Sequence, residues 1–172
     1  EVAWHGGAIV TPVERRGYGS ACLAGLQWLQ DNGPPEIVVF LDGDYSDHPD
    51  ELPRLVEPIL SGEADLVIGS RALGNLERGA MQPQQIFGNW LATNLIRLFY
   101  GYQFTDLGPF RAVRFEQLLA MDMQDKDFGW TVEMQVRAAK MKLRCAEVPV
   151  QYRRRIGVSK VSGTLRGTVL AG

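Results

Sequence analysis

The 172 residues are 45% hydrophobic and 22% charged, the balance of one ordinary folded domain with a single core. A formal net charge of -2 excludes any global pull toward nucleic acid or an anionic bilayer, so basic function must be local. No apolar run reaches the roughly 20 residues a bilayer-spanning helix needs, and the opening EVAWHGG has neither the basic nor the apolar region of a signal peptide.

In chain order, residues 8–10 read as the end of a strand running into Thr11-Pro12. A loop with Arg15-Arg16-Gly17-Tyr18-Gly19 follows. Ser20 is placed to cap a helix whose leucines recur at helical spacing (Leu23, Leu26, Leu29) until Asn32-Gly33-Pro34-Pro35 stops it. Residues 37–41, IVVFL, form an apolar run of the length of a strand buried on both faces. A helix over 50–60 and a second buried strand over 65–69 complete an alternation typical of a parallel α/β sheet. An amphipathic helix is expected over 83–100, a strand within 104–115, a helix over 128–141, a strand over 143–152, and a basic loop over 153–160 with a helix starting near 162–164. The apolar stripe of residues 86–100 suits core packing, with a lipid contact as the alternative. Trp4, Trp28 and Trp130 are assigned to packing. Cys22 and Cys145, with neither CxxC nor metal-ligand spacing, read as small buried apolar groups in a reducing, cytosolic compartment.

The chemistry concentrates where the first buried strand ends. Asp42 and Asp44 follow it directly, at the carboxyl end where open α/β sheets place their ligands. Two carboxylates so close repel each other, and a hard cation such as Mg²⁺ or Mn²⁺ bridging them to a diphosphate would relieve the repulsion. Gly43 is expected to let the backbone turn between them. Asp47 and His48 are weaker candidates.

The run VVFLDGDYSDHPDELPRLV resembles the D-x-D strand and following helix of family-two glycosyltransferases. ERRGYGSACLAGL resembles the Gly-rich loop and helix before it, ADLVIGSR the next strand with its terminal arginine, TDLGPFRA an acceptor-side segment, and WTVEMQVRAA a helix carrying an acidic residue. VPVQYRRRIGVSK resembles the closing R-x-G-x-S-K loop of the polyprenyl- or dolichyl-phosphate sugar transferases. The resemblance covers most of the chain, from about Glu14 to Lys160. It implies a GT-A fold, Rossmann-like, with a mostly parallel sheet flanked by helices. Nothing matches the opening βαβ unit that holds the nucleotide base in that family, so the sequence, which also lacks an initiator Met, reads as one catalytic domain truncated at both ends.

The resemblance further implies that Asp44 holds the Mg²⁺ or Mn²⁺ on a UDP- or GDP-sugar while Asp42 shares the cation or contacts the ribose. Arg71 is expected on the donor phosphates or in a surface ion pair. Asp106 and Arg111 would line the acceptor pocket or pair with each other. A sugar hydroxyl needs a general base, for which Asp106 and Glu133 are the candidates; a lipid phosphate needs none. In that case Arg155, Ser159 and Lys160, supported by Arg153 and Arg154, would hold the acceptor phosphate. The expected activity is inverting hexose transfer to a polyprenyl phosphate at a cytosolic membrane surface, with no nucleic-acid partner. The alternatives are transfer to a sugar hydroxyl in glycan assembly, and a non-catalytic GT-A-like binding module.

Overall fold

The computed structural model describes residues 2–157. The helices are α1 (Val2–His5), α2 (Tyr18–Asn32), α3 (Leu52–Leu60), α4 (Pro83–Tyr100), α5 (Phe115–Ala120) and α6 (Trp130–Lys140). The strands are β1 (Ile37–Phe40), β2 (Leu66–Ser70), β3 (Arg111–Arg114) and β4 (Cys145–Pro149). They form one sheet in the order β1-β3-β2-β4.

The period of two along a strand divides these unbroken apolar runs between the two faces of the sheet. Leu66 and Ile68 of β2, Val113 of β3, and Val38 and Phe40 of β1 face one core, shared with α2, α4, α5 and α6. Val67, Ala112, Ile37 and Val39 face the other, where Leu55 and Ile59 of α3 are fully buried. β2 is buried along its whole length. β2 is thus covered on both faces, whereas β1 is only half-buried and ends at Phe40, leaving Leu41 exposed.

The pairing corrects the expectation of a mostly parallel sheet. β1 and β2 run the same way but are not neighbours, because β3 lies antiparallel between them, with Phe40 opposite Arg111 and Leu66 opposite Val113. Among the described strands, only β2 and β4 pair in parallel. A strand-helix-strand alternation fixes the relative direction of two strands but leaves open what inserts between them.

Smaller differences have local causes. Residues 8–10 are exposed and form no strand. Helix α2 begins at Tyr18, and Ser20 lies inside it, donating its hydroxyl to the Lys126 carbonyl at 3.0 Å. That close approach is possible because Gly19 has no Cβ to strike the backbone of Asp125. The helix expected over 128–141 is α6, and α5 was unforeseen. Of the tryptophans, Trp130 is fully buried and Trp28 partly so, but Trp4 is exposed. Both cysteines are half-buried.

Helix α4 keeps its expected bounds, with Pro83 at its first turn and Gly101 in the left-handed conformation closing it. Its apolar stripe does not pack. Thr93 and Ile96 are buried, whereas Leu98 (75% exposed), Phe99, Phe87, Trp90 and Ile86 face outward.

Candidate active site

Topology gathers the candidate residues on one edge of the sheet. The carboxyl ends of β1, β2 and β4 lie there, and β3, running the other way, begins there. Asp42 and Asp44 therefore follow β1, Arg71 follows β2, Asp106 precedes β3, and Arg153–Arg155 follow β4. This is the ligand-binding edge of an open α/β sheet.

Residues 42–47 form a tight loop. The Asp42 amide donates to Oδ2 of Asp47 at 3.2 Å. Oδ1 of Asp44 accepts the Ser46 amide at 3.0 Å and the Ser46 hydroxyl at 2.5 Å, and Oδ2 of Asp44 pairs with Arg155. The turn itself falls at Tyr45, which holds φ 74, a strained value for a bulky residue and one that tends to occur at functional loops. Gly43 has open space where a Cβ would sit, so the turn is not its doing. His48 accepts the Glu51 amide with its carbonyl, starting the short 3-10 turn of residues 49–51.

The arginine segment is laid directly on this loop. The Arg153 amide donates to the Ser46 carbonyl at 3.0 Å and the Ile156 amide to the Asp44 carbonyl at 2.9 Å. The Arg153 guanidinium bonds the Tyr45 and Asp47 carbonyls and stacks 3.3 Å from the Tyr45 ring centroid. Arg154 turns away to the Arg78 carbonyl and Glu77. Ser159 and Lys160, and the helix expected near 162–164, lie outside the described residues.

Burial raises the pKa of Asp42, and the Asp44 charge adds to it; the Tyr18 hydroxyl, Arg155 and Arg71 act the other way. Burial also opposes the charge on Asp44, but the bonds from Ser46 and the charge of Arg155 outweigh it and hold Asp44 below the usual carboxylate range. Burial pushes Asp47 up to about 6, despite its bond from the Asp42 amide. Oδ1 of Asp47 is buried with no hydrogen-bond partner.

A raised carboxyl pKa means that the native state binds the proton more tightly than the unfolded chain. The resulting cost is absent below the ordinary carboxylate value of 3.8, grows as pH rises toward about 6, and is fully present above it. In metal-free protein, Asp47→Asn is therefore expected to raise stability at pH 7 by about 1–2 kcal/mol. The gain should vanish near pH 4, as checked by urea melts at the two pH values.

Arg71 and Asp106 form a buried bidentate pair. Arg71 donates Nε and its terminal nitrogen to the two Asp106 oxygens at 2.8 and 2.7 Å, and its amide to Oδ2 at 2.7 Å; the Leu107 amide completes the set at 2.8 Å. Burial disfavours the Arg71 charge, but the bonds and charge of Asp106, aided by Tyr152, raise its pKa above the ordinary value. Gly108 packs against this pair, where a Cβ would come within 2.8 Å of the Gly69 carbonyl. Arg71 is thus in a buried rather than a surface ion pair, and its charge reaches Asp42 and Asp47.

Arg111 does not bond Asp106. It is fully buried, and its guanidinium donates to the carbonyls of Leu107, Gly108 and Thr131. Burial lowers its pKa to about 10, which leaves it charged at neutral pH. Instead of facing an acceptor, it braces the turn before β3. Glu133 accepts the amides of Gln124 at 2.9 Å and Asp125 at 2.7 Å, and Nε of Arg137 at 2.7 Å. It holds the loop on which α2 begins.

Tyr18, which lines the same cleft as Asp42 and interacts with it electrostatically, was not singled out by sequence reasoning. Its place in Gly-Tyr-Gly was a local signal for a special loop but not for that contact. Asn89 of α4 was also missed; it ties the helix to the Asp106 segment through the Thr105 carbonyl at 3.1 Å and the Leu107 amide at 2.7 Å.

An open cleft of about 640 Å³ runs between α2 and β1, over Ile9, Cys22 and Trp28, and ends at Tyr18, Asp42 and Gly43. Its volume suits a nucleotide-sized ligand. Among the described residues no group of three or more His, Cys, Asp or Glu converges on a metal position. The hard oxygens of Asp42 and Asp44 instead fit a cation that keeps waters and shares phosphate oxygens with a ligand.

Residues 3–119 match the model of the family described as Glycosyl transferase family 2. An undecaprenyl-phosphate mannosyltransferase of Micrococcus luteus is 34% identical over 88% of this chain and 63% of its own length. An uncharacterized glycosyltransferase of Mycobacterium tuberculosis is 37% identical over 99% of this chain and 75% of its own. Polyprenol monophosphomannose synthase of Mycolicibacterium smegmatis is 32% identical over 87% of this chain and 58% of its own. Among solved structures, M. tuberculosis glucosyl-3-phosphoglycerate synthase, in complex with Mn²⁺, UDP-glucose and phosphoglyceric acid, superposes with a TM-score of 0.65 at 24% identity. It covers 92% of this chain and 55% of that one, a likeness of fold. The chain thus spans less than two thirds of several of the proteins it matches.

Proposed function

Since the chain belongs to glycosyl transferase family 2, we propose that it serves as the catalytic domain of an inverting transferase that moves a hexose from a UDP- or GDP-sugar to a polyprenyl phosphate of the dolichyl type at a cytosolic membrane surface. The acceptor phosphate oxygen attacks the anomeric carbon, the bond from that carbon to the diphosphate breaks, and the nucleoside diphosphate departs. Asp42 and Asp44 would hold Mg²⁺ or Mn²⁺, which supplies Lewis-acid stabilisation of the leaving diphosphate. Tyr18 orients Asp42, and Ser46 orients Asp44. The cleft beside β1 receives the nucleotide.

The observation that carries the reading is the arginine segment docked on the Asp42–Asp44 loop. It sets the Arg155 guanidinium beside the carboxylates that would hold the cation, where an anionic acceptor must meet an anionic donor. Two further features support it. The outward apolar face of α4 is tethered by Asn89 to the Asp106 segment, next to the site, and offers a surface for lipid. Among the described residues no helix is long and apolar enough to cross a membrane. The two carboxylates considered as general bases, Asp106 and Glu133, both spend their oxygens on amides and arginines, and a phosphate acceptor needs no base.

The test is product analysis with labelled UDP- and GDP-hexoses, Mn²⁺ and polyprenyl phosphate, with labelled glycolipid as the expected product. Label found only on glycans would end the lipid assignment. An absence of metal-dependent UDP or GDP binding would favour the non-catalytic module. Glu133→Gln should leave kcat within about threefold, whereas loss of a true general base costs about 10²–10⁴-fold. A drop of that size would return Glu133 to the chemistry.

A further inference from the structure

We propose that Arg155 and the divalent cation are alternative occupants of Asp44, so that metal and donor binding releases the guanidinium that then receives the acceptor phosphate. This rests on the reading of Asp44 as a metal ligand. Both oxygens of Asp44 are engaged. Oδ1 is held by Ser46, a neighbour inside the same loop, and Oδ2 by Arg155. A cation that takes Oδ2 must displace a partner, and Arg155 is the partner built to leave. Its side chain is 36% exposed, against 21% for Asp44.

Its backbone need not move. The Arg153 amide on Ser46 and the Ile156 amide on Asp44 pin the segment on either side of it. The neighbouring arginines cannot make the exchange. Arg153 is spent on the Tyr45 and Asp47 carbonyls and the Tyr45 ring, and Arg154 on Arg78 and Glu77. Of the three, only Arg155 pairs with a carboxylate of the Asp42–Asp44 pair.

The exchange sets an order of events. Without metal, the guanidinium quenches the Asp44 charge and is withheld from anions. With a dication held by Asp44, the same guanidinium would be repelled from that carboxylate and left available, with the forked geometry that suits a phosphate monoester. Donor and metal would therefore assemble the acceptor site.

The experiment measures Mn²⁺ uptake by electron paramagnetic resonance in the presence of UDP or GDP, on the intact protein and its R155Q, R155K and D44N variants. Removal of a half-exposed competing ion pair should tighten Mn²⁺ by about threefold in R155Q, while KM for polyprenyl phosphate rises about tenfold. R155K should keep the competition but not the forked phosphate contact. Unchanged or weaker Mn²⁺ binding in R155Q, with D44N binding none, would overturn the exchange and leave the metal-ligand reading standing. Mn²⁺ uptake that survives D44N, or is missing from the wild type with both nucleotides, would instead refute Asp44 as a ligand and the exchange with it. In a second measurement on wild type, a short-chain polyprenyl phosphate should bind tightly only when Mn²⁺ and nucleotide are present. Equal affinity without them would also overturn the proposal.

Discussion

Asp44→Asn is expected to lower turnover by about a hundredfold or more, with Mn²⁺ dependence lost over the accessible concentration range. The substitution preserves shape, and the amide oxygen can still accept from Ser46, so the loop keeps its course. What disappears is the charge that Ser46 and Arg155 maintain below the usual carboxylate range. The measurement is kcat against Mn²⁺ concentration at saturating donor, beside a thermal melt that checks the fold. Activity within a fewfold of wild type in a folded Asp44→Asn protein would remove Asp44 from the chemistry. Asp42→Asn makes a useful contrast, because burial and the Asp44 charge already raise the pKa of Asp42. Its loss relieves repulsion as well as removing a ligand, so its effect on folding should be neutral or favourable while activity falls.

The second large effect falls on stability. Asp106→Ala would leave the Arg71 guanidinium buried without its carboxylate and free the amides of Arg71 and Leu107 at the same stroke. With Asp106 1% exposed and the Arg71 side chain 10% exposed, water cannot compensate, and removing one member of such a pair costs about 3–5 kcal/mol. Urea unfolding of Asp106→Ala, Arg71→Ala and the double variant would measure the coupling. The double variant is expected to be less destabilised than the sum of the two single changes, since it leaves no orphan charge. Strict additivity would mean that the pair does not act as a unit. Because Gly108 and the loop before β3 rest on this pair, activity should fall with stability.

How far the sequence could be read depended on how local each determinant was. Helix α4 was bounded correctly because Pro83 starts it and Gly101 stops it. Its packing was misjudged because a stripe of Leu, Phe and Trp spells an apolar face without saying what covers it. Gly43 drew attention as the loop's hinge, yet the strained residue is Tyr45, whose backbone is caught by Arg153, a partner 108 positions away.

By itself the sequence determined that strands would form within residues 37–41 and close to 65–69, and that the second would be covered on both faces, since an apolar run of that length leaves no side for water. It also determined that the acidic pair would stand at the end of the first of them. Only the tertiary structure decided that β3 would divide β1 from β2, that Arg71 would close on Asp106 across 35 positions, and that Arg155 would reach Asp44 across 111. Periodicity records which way a side chain faces, but the choice of charged partner is made by chain segments that meet only once the sheet and its helices have packed.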